Sequence, residues 1–299
     1  MASSVREAHT LASARRRGNN LAGHGISAPG AYHRRMDTSF PHVGTLLREW
    51  RTTRRLSQLD LALEAGISAR HLSYVETGKA RPSRDMISLL AEVLRMPLRE
   101  RNALLTAAGF AAGYRETTLA TPEMAPVQRA VEYILGHQDP YPALVMNRHW
   151  DLLLVNRSFT RIFSKFMDGP SRHRNVLRQV FDPEDIRGAI ANWEEMAEDL
   201  IRHLHNQVAA APSDRKSRAL LDEILAFPGI PDGWRRRQPG QTTLPLLTCV
   251  FKKGDLELRF FSTFTTFGTP WDVTVDELRI ECMFPADDGT AELCRTLPE

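Results

Sequence analysis

At 299 residues and 42% hydrophobic, the chain carries enough apolar material for about two domains of roughly 100 to 200 residues each. Apolar runs such as Leu152 to Val155 and Leu244 to Leu247 fall far short of the roughly 18 residues of a membrane span, and the first residues lack the apolar core of a signal peptide. The three cysteines, Cys249, Cys282 and Cys294, are too few and too scattered for a disulfide framework, so a cytoplasmic protein with no membrane contact and no disulfides is expected.

The net charge of +3 is unevenly distributed. Residues 1 to 36 hold six Arg against one Glu, residues 37 to 115 hold twelve Lys and Arg against eight acids, and residues 116 to 299 hold 21 against 27. A polyanion would therefore meet the N-terminal third. Within that third, residues 1–39 have few large apolar side chains and no helical period, so they read as a disordered basic extension. Met36 opens a segment that looks like a natural beginning, which leaves open both a functional basic arm and a start placed too far upstream.

From Phe40 to Gly109 the spacing is helical. Val43, Leu46, Leu47 and Trp50 form one apolar stripe, with Arg48, Arg51, Arg54 and Arg55 outside it. Ser57 and Asp60 make a capping box that starts a second helix with Leu61, Ala62 and Ala65 inward, and Gly66 ends it. Ser68 caps a third helix, which buries Leu72 and Val75 and stops at Gly78. Pro82 and Ser83 begin a fourth, with Met86, Leu89, Leu90, Val93 and Leu94 inward, and a fifth runs from Leu98 to Ala108.

Two short helices across a glycine turn, braced by others, describe a helix-turn-helix. The stretch "SQLDLALEAGISARHLSYVETGKARPS" resembles the XRE family of lambda-repressor-like DNA-binding domains, through Ser57, Gln58, Leu61, Ala62, Gly66, Ile67, Ser68, Glu76, Gly78 and Pro82. The resemblance implies an all-α bundle over residues 40–109 that binds double-stranded operator DNA, with the third helix as reader. Gln58 would hold a phosphate oxygen beside a helix N-terminus. Ser68, Ala69, Arg70, Ser73, Tyr74 and Thr77 are the candidate contacts on the polar face, Arg70 by bidentate bonding to guanine and Ala69 by contact with a thymine methyl. His71, Lys79 and Arg81 fit phosphate better than bases. An acid facing DNA would be repelled, so Glu76 is expected to fix the helix end through internal hydrogen bonds.

Residues 110–126, with two prolines and many small residues, read as a linker. A short helix follows with Val127, Val131, Ile134 and Leu135 on one face. The period then changes to two in "PALVMN" and "DLLLVN", which read as paired strands around "RHW", before a helix marked by Phe159, Ile162, Phe163 and Phe166. Long helices are expected from about Pro183 to Ala209 and from Asp214 to Phe227. Three strands close the chain: "LPLLTCVFKK", "DLELRFFSTFTT" and "ELRIECMF", with a hairpin turn at Gly254 and Asp255.

This order predicts an α+β domain over residues 127–290, an antiparallel sheet of PAS-like type with helices on one face, followed by a C-terminal tail at 291–299. "PALVMNRHWDLLLVN", Asn175 to Phe181 with Trp193, and "TTFGTPWDVTVDELRIECMFPAD" resemble the MmyB-like, or MltR-type, ligand-binding domain that follows an XRE domain in bacterial regulators. The resemblance implies a cavity between sheet and helices for a small apolar, fatty-acid-like effector. Met146, Leu153, Phe159, Phe163, Phe260 and Phe264 are its candidate lining, with ordinary core as the alternative for each. "FGTPWDV" reads as a turn with a tryptophan anchor. The segment 228–243 departs from the longer basic connection of relatives and receives no contact.

No metal site or cofactor motif is found. His203 and His205 are two apart and diverge on a helix, and no nucleophile elbow, zinc-protease, Walker or dinucleotide fingerprint is present. The acids of "DPED" and "NWEEMAED" suit helix N-termini. A DNA-binding, homodimeric transcription regulator with an effector domain is expected. The alternatives are a C-terminal domain serving only for dimerisation or docking and, least favoured, an enzyme.

Overall fold

A computed structural model describes residues 42–236 and 246–298. The basic extension expected over 1–39 lies outside the described residues, as do Leu244 and Pro245 of the first expected C-terminal strand and most of the departing segment's second half.

Five helices build the N-terminal bundle: α1 Val43–Thr53, α2 Gln58–Glu64, α3 Ala69–Glu76, α4 Arg84–Val93 and α5 Leu98–Ala107. Local chemistry sets their starts. Ser57 and Asp60 close the capping box of α2, Ser68 accepts from the His71 amide at α3, and Ser83 accepts from the Met86 amide at α4. Leu47, Leu61, Leu72, Val75, Ile87, Leu90, Leu94 and Leu104 are sealed from water around Trp50, each worth about 1.5–3 kcal/mol of apolar burial for the larger side chains. On α4 the inward phase is Ile87, Leu90, Ala91 and Leu94, whereas Leu89, expected inward, is exposed. Gly66 has φ +63 at the α2–α3 turn, a conformation that favours glycine. Gly44 serves a different need, because a Cβ there would stand 2.4 Å from the Val75 carbonyl oxygen and 2.5 Å from that of Glu76.

The linker is docked rather than free. Asn102 on α5 accepts from the Gly113 and Tyr114 amides and donates to the Tyr114 carbonyl. Thr117 bonds Asp272 through its amide and hydroxyl.

The second domain begins with α6 Ala125–His137, after a short 3-10 turn, and proceeds through β1 Ala143–Met146, β2 Leu152–Val155, α7 Arg157–Phe163, α8 Val176–Phe181, α9 Trp193–Ala210 and α10 Arg215–Ile224. It closes with β3 Cys249–Lys253, β4 Leu256–Thr265, α11 Val273–Glu277, β5 Arg279–Pro285 and α12 Asp288–Thr296. The sheet has five antiparallel strands in the order β2-β1-β5-β4-β3, so the two ends of the domain meet along the β1–β5 seam. Both faces are covered. Leu144, Met146, Phe251, Leu258, Phe260 and Met283 pack with α7 to α10, while Ala143, Val145, Ile280 and Cys282 pack against Val131 and Leu135 of α6. The expectation of helices on one face alone is thereby corrected.

Four further differences have local causes. Helix α8 forms because Asn175 caps it by accepting from the Arg178 amide. Helix α9 starts ten residues after Pro183, at Trp193. The intervening chain is captured by the sheet edge: Ile190 bridges Phe251, the Ala191 amide donates to the Val250 carbonyl, and Asn192 bonds Thr248 and Val250. That coverage also protects β3, an edge strand. The expected tail folds as α12, capped by Asp287, with Cys294 fully buried. In "FGTPWDV" Trp271 is 81% exposed and anchors nothing among the described residues; Asp272 instead caps α11.

Candidate functional site

Helix α3 presents Arg70, Tyr74 and Thr77 to solvent, with Ala69, His71 and Ser73 half-buried beside them. Arg70 Nε donates to the Tyr74 hydroxyl at 3.0 Å, and its guanidinium lies 5.4 Å from the ring centroid. Lys79 Nζ lies 6.0 Å from the same ring, so one exposed aromatic is flanked by two cations. Arg81 is exposed in the loop that follows. Ser68 and Thr77 are partly committed to the helix: the Ser68 hydroxyl accepts from the His71 amide, and the Thr77 hydroxyl donates to the Ser73 carbonyl at 2.7 Å.

Behind this face, Glu76 is buried and accepts two hydrogen bonds from Arg51, at 2.7 and 3.0 Å, and one from Gln58 Nε2 at 2.8 Å. Burial alone would raise its pKa; the Arg51 and Gln58 bonds outweigh that and hold the carboxyl below the ordinary range. Glu76 thus ties the end of α3 to α1 and to the start of α2, as expected. The stripe reading placed Arg51 outside, yet its side chain is 11% exposed because this pair draws it in. Gln58 spends one hydrogen of its side-chain amide on Glu76.

In the second domain a cavity of about 730 Å³ lies between the sheet and α7 to α9, within the range usual for small-molecule sites. Its wall is mostly apolar: Leu144, Leu152, Val155, Phe159, Phe163, Val176, Val180, Met196, Leu200, Phe251 and Met283. Of the expected lining, Phe159, Phe163 and Phe264 are there. Met146 and Phe260 are fully buried in the core and do not line it. Leu153 is 40% exposed and lies on a different groove. Plain alternation pairs Leu153 with Val155 on the inner face. A bulge between the Val145–Leu154 and Met146–Leu152 pairs leaves Leu153 over and turns Leu152 inward.

Polar wall residues that the sequence does not single out as cavity groups include Trp150, Ser262, Glu281 and Asp199. Asp199 holds His203 at 3.0 Å, and this hydrogen bond raises the imidazole pKa against the opposing effect of burial. Ile280, Cys282 and Phe284 of β5 pack with α6. The covered second face takes that set, and Glu281 and Met283 point to the cavity.

The family model for the MmyB-like transcription regulator ligand binding domain matches residues 127–297, and a helix-turn-helix model matches residues 47–101. The chain belongs to the MmyB-like transcription regulators. It joins a helix-turn-helix DNA-binding domain of XRE type to a ligand-binding domain, and these are domains of a transcription regulator, not of an enzyme family. No curated protein matches the chain. Among the described residues, no helix of the regulator is long and apolar enough to cross a membrane, and no cluster of three or more metal-ligating side chains occurs.

The two domains of the regulator meet through buried charge. Arg148, in the β1–β2 hairpin, is 7% exposed and lies 2.7 Å from Asp214, 3.0 Å from Glu277 and 3.6 Å from Glu100 of α5. Arg99 bonds the same Glu277 at 2.6 and 3.0 Å. Helix α5 has no side-chain cap of its own, and Asp276 from α11 accepts the Leu98 amide at 3.0 Å in its place. The hairpin also reaches the cavity. Trp150, held at φ +66, lines it and donates to Gln207, whose amide donates to the Arg148 carbonyl at 2.7 Å.

Proposed function

We propose that α3 enters the major groove of operator DNA, that the regulator binds as a homodimer in the bacterial cytoplasm, and that a small, largely apolar effector in the cavity sets its operator affinity. Two copies on a palindrome would place their α3 helices about 34–36 Å apart, one turn of DNA. Arg70 and Tyr74 are the base readers, with Ala69, Ser73 and Thr77 beside them. Gln58, Ser68, His71, Lys79 and Arg81 serve the backbone. One observation carries the effector half: a wall residue of the apolar cavity, Trp150, is bonded through Gln207 to Arg148, which is itself paired with α5 of the DNA-binding domain. An effector can act only by binding the DNA-competent and incompetent arrangements differently, and this chain of contacts gives it a contact to change.

Operator titrations test the first half. Arg70→Ala should lose about 1–3 kcal/mol at the cognate site and relax its sequence preference, whereas Gln58→Ala should weaken binding evenly across sequences. Cognate affinity unchanged in Arg70→Ala refutes the reader assignment. For the second half, denaturing mass spectrometry of the purified full-length protein should release a small molecule, or added apolar compounds should raise its melting temperature. Failure of both leaves the second domain as a dimerisation or docking module.

A further inference from the structure

A second hollow lies where the two domains meet. This cleft of about 830 Å³ is walled by α1, α4 and α5 of the DNA-binding domain on one side, and by α9, β5 and the β1–β2 hairpin on the other. Five arginines line it, Arg54, Arg95 and Arg101 from the first domain and Arg148 and Arg279 from the second, against three acids, Glu92, Asp276 and Glu277. Two of those acids are already engaged: Glu277 accepts from Arg99 and Arg148, and Asp276 accepts the Leu98 amide. Among the described residues, Arg54, Arg95, Arg101 and Arg279 make no ion pair; Arg54 and Arg101 donate to the Leu94 and Met96 carbonyls, and Arg95 is exposed. The cleft therefore holds more cationic than anionic groups in want of a partner.

Arg279 shows the imbalance most directly. It is partly buried, with its guanidinium 5.8 Å from the Trp150 ring centroid. Its Nη1 donates to Gln207 Oε1 at 3.4 Å, an oxygen that also accepts from Trp150 Nε1. That long bond uses one of the five N–H donors of a guanidinium. Burial lowers the Arg279 pKa, Arg148 adds to the effect and Glu277 opposes it. A charge drawn out of water without a bound carboxylate is costly, and an anion in the cleft would supply the missing partner. Guanidinium forks match carboxylate and phosphate oxygens alike. The cleft is larger than a bare ion needs, and the side chains of Trp150 and Phe264 give it apolar surface for an organic body.

We propose that this interdomain cleft is a second ligand site, for a small organic polyanion, a phosphate ester or a polycarboxylate, with Arg279 of the ligand-binding domain and Arg95 of the DNA-binding domain among its cationic contacts. It is separate from the apolar cavity and does not depend on what that cavity holds. Because the ligand touches both domains, it favours the arrangement in which they are docked.

Tripolyphosphate and citrate serve as test anions, each titrated by calorimetry into the full-length protein at neutral pH and about 0.15 M salt, where loose surface attraction is screened. At least one should bind, and Arg279→Gln and Arg95→Gln should each weaken it about tenfold, the equivalent of one charge-assisted hydrogen bond. Lys79→Gln, on the DNA-binding face, should change the affinity less than about twofold, as expected for a distant site. Binding of tripolyphosphate alone assigns phosphate esters, of citrate alone polycarboxylates, and of both the wider class. Binding of neither anion, or binding that neither cleft variant weakens, overturns the site; a loss in Lys79→Gln would then place the anion on the DNA face. Arg95 is exposed, so Arg95→Gln keeps the test decisive should Arg279→Gln fail to fold. The saturating anion should also slow hydrogen exchange at the first turn of α5, which Asp276 caps from the other domain. Binding with unchanged exchange there would overturn the bridging of the two domains.

Discussion

Glu76 is the acidic residue in the helix that should approach DNA, and its burial explains how it is tolerated there. Arg51 neutralises it, and Gln58 takes a further lone pair. Removing one member of such a buried pair leaves the other uncompensated, so Glu76→Gln should cost about 3 kcal/mol in urea unfolding. The sign of the pH dependence follows from the depressed carboxyl. A group whose pKa is lower in the folded state adds stability above its unfolded value and loses it as the pH falls toward its folded one. Stability of the wild type should therefore fall below the ordinary glutamate range, and Glu76→Gln should flatten that slope. An equally steep slope in the variant would assign the acid sensitivity elsewhere, with Asp214, another depressed carboxyl, as the next group to examine.

At the scale of elements, the position of α3 depends on how closely α1 can approach it. With carbonyl oxygens 2.4 and 2.5 Å from where a Cβ would stand, Gly44→Ala forces the two helices apart. Overpacking of this kind costs about 1–3 kcal/mol, and the displaced reader should lose cognate binding while Thr53→Ala, on an exposed turn of α1, leaves both properties nearly unchanged. Circular dichroism melts and an operator titration measure the two effects. Helix α5 poses a different case, because its cap comes from the other domain. Asp276→Ala should lower stability by about 0.5–2 kcal/mol, the ordinary value of a side-chain cap, and hydrogen exchange should quicken at the first turn of α5. Unchanged exchange there would mean that the Asp276 bond does not hold the turn.

For the molecule as a whole, coupling between domains converges on Glu277, which accepts from both Arg99 and Arg148. Glu277→Gln weakens that junction without entering the DNA face or the cavity wall. Coupling free energies between sites are typically about 1–3 kcal/mol, or roughly 5- to 150-fold in affinity. The variant should bind operator and effector separately with near wild-type affinity, yet the effector should change operator affinity by much less. Operator titrations with and without saturating effector supply the comparison. A full response in Glu277→Gln would show that the signal crosses elsewhere, for example through the docked linker at Thr117 and Asp272.

What is legible along the chain is local. Capping residues at Ser57, Ser68 and Ser83 marked the helices of the DNA-binding bundle, the spacing of Gln58, Glu76 and Gly78 carried the family likeness, and alternation found the strands. These signals are short-range, since a cap acts over three residues and a strand's period is two. Tertiary structure decided whatever depends on a partner far along the chain. Leu153 left the cavity because of a bulge set by β1, and Glu281 entered it because α6 covers the other face of the sheet. Trp271, apolar and expected to anchor, stays exposed, while Arg148 is buried among acids from three distant segments. Hydrophobicity states what a side chain prefers; which surfaces exist to satisfy it is settled only when the sheet closes its β1–β5 seam and α5 docks against α11.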